Sequence, residues 1–368
     1  MTQAAADRAF MQAALGLARR GQGVTWPNPP VGCVLVREGR VVGQGATAPG
    51  GRPHAEARAL AMAGERARGA VAYVTLEPCC HFGRTPPCTD AMLAAGIARV
   101  FAAVRDPDPR VNGQGVLRLR SGGIVVDEGL LAAEAEDVAA GFFSRVRRGR
   151  PSVTLKLAST LDGRIATASG ASRWITGAPA RRAAHALRGR HDAVLVGVGT
   201  VRADDPELSC RIPGFRSRPL VRLVADSMLR TPPSSRLVAT AREQPTWLLH
   251  ATTADPTLKD AFTGAGVRLI AVPAAAAGID LPAALALLAE TGLTSILAEG
   301  GAALAASLLA ADLVDRLVWF QAPALLGADA WPAMAALGIA DLAAMPRFRH
   351  RRTMNLGADM LSDFVCPA

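Results

Sequence analysis

Polar and apolar positions along the chain fall into two successive α/β blocks. Helical spacing over residues 4–20 gives way to period-two alternation over 31–36 and 40–45, which reads as a hairpin turning at Glu38-Gly39. A helix is expected from near His54 to about residue 63. A short apolar strand follows over 71–76, and a further helix from Thr89, with Asp90 close to its positive end. Segments 98–104, 116–121, 124–126 and 131–144 continue the alternation, so the first block is expected to be a three-layer α/β sandwich. The polar, breaker-containing stretch 145–151 is the best boundary and sets the expected domains at 1–148 and 149–368. Beyond it, strands are expected over 153–158, 193–198, 220–225, 247–250, 267–272, 295–298 and 316–321. Helices are expected over 178–190, 281–291 and 302–311, and no internal repeat is visible.

Composition narrows the class. A chain of 368 residues suffices for two cores, and with half its residues hydrophobic and a fifth charged it is globular, not disordered. No apolar run approaches the ~18 residues of a membrane span. The N-terminal residues read as an amphipathic helix without the cationic and apolar regions of a signal peptide, so the cytoplasm is the expected compartment. The formal charge of +10 is spread along the chain, with no basic run longer than 145–150. Diffuse charge of this kind fits anionic small substrates better than nucleic acid. Lys156 and Lys259 are the only lysines, and the six cysteines are too scattered for a disulfide framework.

Chemistry concentrates between residues 53 and 88. His54, Cys79 and Cys88 can supply three zinc ligands and leave a fourth position open, while Glu56 stands two residues from the histidine as a proton shuttle. These are the parts of a hydrolytic deaminase for an amino-substituted heterocycle. Two blander readings stand beside it. His-x-Glu also opens ordinary helices, and Cys80 or His81 as a fourth ligand would make a closed, structural zinc site. With His54 and Glu56 in one first turn and Cys88 just before another helix, two helix N-termini would favour thiolate and hydroxide.

The eight residues between the cysteines, Cys-His-Phe-Gly-Arg-Thr-Pro-Pro, replace the two-residue gap usual in deaminases of nucleosides and nucleic acids. Together with the upstream loop Trp26-Pro27-Asn28-Pro29-Pro30-Val31-Gly32, this insertion strongly resembles the bifunctional pyrimidine deaminase/reductase family of riboflavin biosynthesis. The second half carries three further clusters of that resemblance. They are Lys156 to Arg164 with Ser172 to Thr176, Gly197 to Pro206 with Leu208 and Arg211, and Ala298-Glu299-Gly300-Gly301 opening a helix.

The resemblance implies a cytidine-deaminase-like domain followed by a dihydrofolate-reductase-like domain. It implies deamination of 2,5-diamino-6-(5-phosphoribosylamino)pyrimidin-4-one, then reduction by NADPH to 5-amino-6-(5-phosphoribitylamino)uracil. In the first domain it marks Asn28 as a hydrogen-bonding partner of the pyrimidine, and Arg84 and Thr85 as holding the substrate phosphate. In the second it marks Ala158, Trp174, Thr200, Asp204 and Ser227 for the cofactor. The turn of Gly301, Ala302, Ala303, Leu304, Ala305, Ala306 and Ser307 is marked with them. Ser172, Arg188, Leu208, Arg211 and Glu299 match substrate positions, the two arginines suiting a ribose phosphate. Lys156 is expected to polarise the opened sugar, with Asp204 or Glu299 handling protons. Thr47 and Cys80 depart from the histidine and serine common in the family. A homo-oligomer without nucleic-acid or membrane partners is expected. The competing reading is a nucleoside or nucleic-acid zinc deaminase with a fused accessory domain.

Overall fold

The computed structural model describes residues 2–83, 85–276 and 278–367, and it divides into two compact units, Met1–Arg150 and Pro151–Ala368. The division falls two residues beyond the expected boundary, because the last helix of the first unit runs through 145–148, within the stretch expected to break, and is capped by Gly149.

In the first unit, α1 (Gln3–Gly21) leads into β1 (Gly32–Arg37) and β2 (Arg40–Ala46), joined where Glu38 and Gly39 both take positive φ, as a two-residue hairpin turn requires. Then come α2 (Ala55–Ala63), β3 (Val71–Val74), α3 (Cys88–Ala94), β4 (Arg99–Ala102), α4 (Gln114–Ser121) and β5 (Val125–Glu128). Two helices, α5 (Ala132–Val138) and α6 (Ala140–Arg148), occupy the segment expected as one.

The sheet order is β2-β1-β3-β4-β5, with β1 antiparallel to both neighbours and β3, β4 and β5 parallel. Alternation along β1 builds the three layers. Val34 and Val36 pack with Met11, Leu15 and Tyr73 beneath α1, while Cys33 and Leu35 join Ala55, Ala59 and Met92 beneath α2 and α3. A side chain at Gly43 or Gly45 would drive its Cβ to 2.3 or 2.2 Å from the α2 carbonyls of Ala59 and Ala55. Glycine at these two positions lets α2 lie close on β2, and His54 is the N-cap of α2.

The second unit opens with β6 (Ser152–Thr160) and β7 (Arg164–Ala166), followed by α7 (Ala178–Gly189), β8 (Ala193–Gly197), α8 (Val198–Asp204), β9 (Val221–Ala225), α9 (Arg236–Ala239) and β10 (Thr246–Ala251). Next are α10 (Lys259–Gly264), β11 (Arg268–Val272), the two-residue strands β12 (Ala274–Ala275) and β13 (Gly278–Ile279), and α11 (Leu281–Glu290). The unit closes with β14 (Ser295–Ala298), α12 (Ala302–Ala310), β15 (Arg316–Ala322), β16 (Trp331–Pro332), β17 (Arg349–Leu356) and β18 (Asp359–Val365).

Nine strands form the main sheet in the order β11-β10-β9-β8-β14-β6-β15-β18-β17. They run parallel as far as β15, then antiparallel through β18 and β17. The last hairpin is absent from the strands expected above. Its edge strand β17 is exposed along nearly its whole length, so it lacks the apolar alternation that marks a strand. Among the described residues, no helix is long and apolar enough to cross a membrane.

Candidate active sites

The first unit gathers His54, Cys79 and Cys88. His54 is the N-cap of α2, and Cys88 is the first residue of α3, one position earlier than expected. Cys79 sits on the loop after β3, pinned by its carbonyl, which accepts from the Thr89 N–H at 3.2 Å. His54 Nδ1 lies 3.6 Å from Cys79 Sγ and 3.4 Å from Cys88 Sγ, and the three ligand atoms lie within 4.8 Å of one another. Zinc held tetrahedrally at about 2.3 Å from sulfur and about 2.0 Å from nitrogen sets those atoms about 3.6 Å apart. The residues fit the ion.

Neither Cys80 nor His81 joins the cluster. The Cys80 thiol instead donates to the Arg110 carbonyl at 3.6 Å, which leaves the three-ligand, open reading of the site.

Charge is arranged around this trio. Donation from the Cys88 thiol pulls Cys79 down to about 4, against burial and with help from His54. Glu56, only 4 % exposed, is pushed up to about 7, chiefly by burial and then by the Cys79 charge. The loop itself is anchored by Glu77, whose buried carboxylate accepts from the N–H groups of Asp106, Gly113 and Val116 at 3.2, 2.9 and 3.1 Å.

His54, Glu56, Glu77 and Cys79 line a cavity of about 450 Å³ that also takes in Asn28, Thr47, Arg52 and Asp106. Asn28 Nδ2 donates to the Gly51 carbonyl at 2.9 Å and stands 3.4 Å from His54 Nε2. Thr47 is buried, and its hydroxyl accepts from the Val31 N–H at 3.0 Å, so the family-departing residue ties β2 to the Asn28 loop. Thr85 is exposed and accepts from Arg52 at 2.5 Å, while Arg84 lies outside the described residues.

In the second unit, strand register builds the site. Ala298 of β14 pairs with Leu155 of parallel β6, which places Glu299 beside Lys156. Their charged atoms are 3.8 Å apart. Arg188 of α7 grips the same carboxylate through two bonds, 2.5 and 3.0 Å, across 111 residues of sequence. Burial pushes Glu299 up, yet Arg188 and Lys156 together outweigh it and hold the carboxyl at about 2. Burial lowers Lys156, with Glu299 opposing.

A cavity of about 570 Å³ surrounds the cluster and includes Ala158, Ser172, Trp174, Arg188 and Arg211. His185, one turn before Arg188, also lines it and was not foreseen. Burial and the neighbouring arginines lower its pKa, and its Nδ1 lies 3.1 Å from the Ser209 carbonyl. The turn of α7 shared with Arg188 was its only signal in the sequence.

A second cavity, about 670 Å³, lies at the carboxyl ends of β8 and β9 against α12. It is lined by Gly197, Gly199, Ser227, Arg230, Ala303, Leu304 and Ser307 among others. Thr200 is adjacent, its hydroxyl 3.9 Å from where a Cβ on Gly301 would stand. Of the run expected to meet the cofactor, Ala305 and Ala306 are instead core residues of α12, 0 and 7 % exposed. Gly301 and Ala302 form its entry. Asp204 is exposed at the end of α8 and lines neither cavity, so of the two groups expected to handle protons only Glu299 stands beside Lys156. Leu208 is buried.

Sequence comparison reaches the same two units. Residues 151–362 match the RibD C-terminal domain, and residues 4–104 match the cytidine and deoxycytidylate deaminase zinc-binding region. The riboflavin biosynthesis protein RibD of Escherichia coli is 44 % identical over 98 % of this chain and 99 % of its own. That of Bacillus amyloliquefaciens is 41 % identical over 95 % and 94 %.

The chain belongs to the RibD family.

Solved structures agree with the assignment. RibD of Acinetobacter baumannii superposes with a TM-score of 0.87 at 34 % identity, covering 99 % of both chains. The Thermotoga maritima diaminohydroxyphosphoribosylaminopyrimidine deaminase/5-amino-6-(5-phosphoribosylamino)uracil reductase gives 0.87 at 33 % over the whole of each chain. The chain is therefore an enzyme with a cytidine-deaminase-like unit and a RibD reductase unit, as the motifs implied.

Arg230 is a further residue that sequence reading missed. Buried Asp226 accepts from the Arg230 N–H at 2.8 Å and from Thr231 through both its N–H and hydroxyl at 2.7 Å. This tight turn after β9 presents Arg230 to the cavity that holds Ser227. The run Asp-Ser-Met-Leu-Arg-Thr-Pro carries the turn chemistry that would have flagged it.

Proposed function

We propose that the chain performs two consecutive steps of riboflavin synthesis. The first is hydrolytic deamination of 2,5-diamino-6-(5-phosphoribosylamino)pyrimidin-4-one. The second is reduction of the ribosyl group, giving 5-amino-6-(5-phosphoribitylamino)uracil. The observation that carries this reading is the convergence of His54, Cys79 and Cys88 with buried Glu56 at one cavity, on a chain whose second unit pairs Lys156 with Glu299 and Arg188.

In the first step His54, Cys79 and Cys88 would hold zinc, and the ion would supply hydroxide near neutral pH by lowering the pKa of water. Glu56 exchanges the protons. Its carboxyl, buried two residues from His54, is placed to accept one from water and pass it to the departing amine nitrogen. Asn28 offers its amide to the pyrimidine edge, and its bond to Gly51 holds that amide in place. Thr47 supports the same loop through Val31, so its role is positioning.

In the second step a nicotinamide cofactor, when bound, supplies the hydride received at the ribosyl C1′. Lys156 polarises the opened sugar. Glu299, held anionic, keeps both Lys156 and Arg188 turned into the cavity. Arg188 and Arg211 suit the ribose phosphate, since guanidinium forks match its oxygens. Ser227 and Arg230 favour NADPH over NADH, because a cation and a hydroxyl at a strand end can take the additional 2′-phosphate.

The test supplies the diaminopyrimidine phosphate with NADPH to the zinc-loaded protein. Ammonia release and loss of dihydronicotinamide absorbance are followed together. Ammonia first and absorbance loss second is the expected order. Absence of both, when the deaminated uracil is also refused, would overturn the assignment.

A further inference from the structure

From the hydrogen bonds around the substrate cavity of the second unit we infer that His185 is a positioning residue for the reduction, fixing the backbone at Arg211 so that its guanidinium meets the substrate; the inference rests on the reductase reading above.

Residues 205–220 join α8 to β9 without helix or strand, so the placement of Arg211 has to come from contacts outside its own segment. Arg211 is exposed, and among the described residues its guanidinium makes no hydrogen bond or ion pair. What holds the residue is the bond from its N–H to His185 Nδ1 at 3.3 Å.

Helix α7 supplies the anchor. His185 and Arg188 stand three positions apart on one face of it, and both line the cavity. His185 Nδ1 also lies 3.1 Å from the Ser209 carbonyl, and one ring nitrogen cannot donate to Ser209 and accept from Arg211 at once. Arg188 resolves the conflict, because its Nη1 donates to that same carbonyl at 3.2 Å. The lone pair of Nδ1 is then left for the Arg211 N–H, and the ring proton belongs on Nε2, which has no partner among the described residues. Burial, with the cations of Arg188 and Arg211, lowers the pKa of His185 and keeps the ring in the neutral form this bond needs. The Cys210 thiol adds a bond to the His185 carbonyl at 3.2 Å. Three consecutive loop residues thus meet one turn of α7, the turn whose Arg188 also grips Glu299 beside Lys156. Loop and cation cluster share one rigid support.

The experiment follows NADPH oxidation with the deaminated uracil phosphate in His185→Phe, His185→Asn, Arg211→Gln and the double variant of His185→Phe with Arg211→Gln. Phenylalanine keeps a ring and loses Nδ1, whereas an asparagine amide oxygen can accept in its place. His185→Phe is expected to raise KM for the uracil about 10-fold with kcat changed less than about threefold, and His185→Asn to restore most of that loss. In the Arg211→Gln background His185→Phe is expected to add less than about twofold, because a residue acting through another has nothing left to position. An additive loss in the double variant, an unchanged KM, a loss confined to kcat, or no rescue by asparagine would overturn the role of His185. Denaturation midpoints show that the variants are folded, and His185→Leu replaces His185→Phe in the cycle if the phenylalanine is not accommodated. NADPH oxidation by the unaltered protein tests the reductase reading separately.

Discussion

Glu56 of the first unit and Glu299 of the second are nearly removed from solvent and carry opposite charge behaviour. Glu56 is 4 % exposed and rises to about 7, whereas the Glu299 side chain is 7 % exposed and falls to about 2. Burial acts on both in the same direction, disfavouring the anion. What differs is the company. Glu56 faces a sulfur held anionic at Cys79, while Glu299 is clasped by Arg188 and approached by Lys156. One site thus sets a buried carboxyl beside sulfur, where its anion is disfavoured, and the other fixes an anion between two cations. His191 extends the rule: its buried ring is bonded only to the Leu187 carbonyl and the Thr154 hydroxyl, and it falls to about 4, chiefly because burial disfavours its charged form too.

The strongest way to break this contrast is Glu56→Gln. Deamination should fall about 100- to 10,000-fold, with zinc content and reduction of the deaminated uracil unchanged, as befits a proton shuttle. Retained ammonia release would remove Glu56 from that role. Glu299→Gln should act differently, because it strands two cations in one half-buried cluster. A loss of about 3 kcal/mol in the denaturant stability of the second unit is expected, together with a weaker grip on the uracil phosphate. A fully stable variant would show that Arg188 and Lys156 do not depend on that anion.

The His191 prediction concerns pH. Its ring donates through Nδ1 to the Leu187 carbonyl at 2.8 Å and through Nε2 meets the Thr154 hydroxyl at 2.9 Å, an arrangement for the neutral form. With the folded pKa below the ordinary 6.5, the unfolded chain takes the proton first as pH falls. Stability is therefore present above about 6.5 and lost toward about 4, and from neutrality to about pH 5 the loss is about 2 kcal/mol. Chemical denaturation across that window should show the slope, and His191→Gln should flatten it. The smallest effect expected is on cofactor choice: Arg230→Gln should raise KM for NADPH about 10-fold and leave NADH alone. Equal effects on both cofactors would place Arg230 outside the 2′-phosphate site.

Legibility differed between the two sites for the same physical reason. His54 and Glu56 are two residues apart at a helix start, and the cysteines stand at either end of one loop, so a short window of sequence held nearly all of the candidate first site. The second site is assembled from β6, α7 and the end of β14, and the contact of Arg188 with Glu299 spans 111 residues. Its members were foreseen through family motifs, not through any local pattern. Resemblance alone had also carried Ala305, Ala306 and Asp204 into the site. In the structure, helix phase turns the two alanines into the core and Asp204 ends exposed at a helix terminus.

By itself the sequence determined most of the alternation of helices and strands, the helix stop at Gly149 before Pro151 and the close spacing of His54, Glu56, Cys79 and Cys88. These depend on periodicity, turn chemistry and short-range spacing, which a linear pattern records. Only the tertiary structure decided which buried groups share a cavity. It set Arg52 beside Thr85, Glu299 beside Lys156 through the pairing of β14 with β6, and β18 beside β15. It also decided the charge of each glutamate, because a pKa depends on every group within a few ångströms, and those neighbours come from distant parts of the chain.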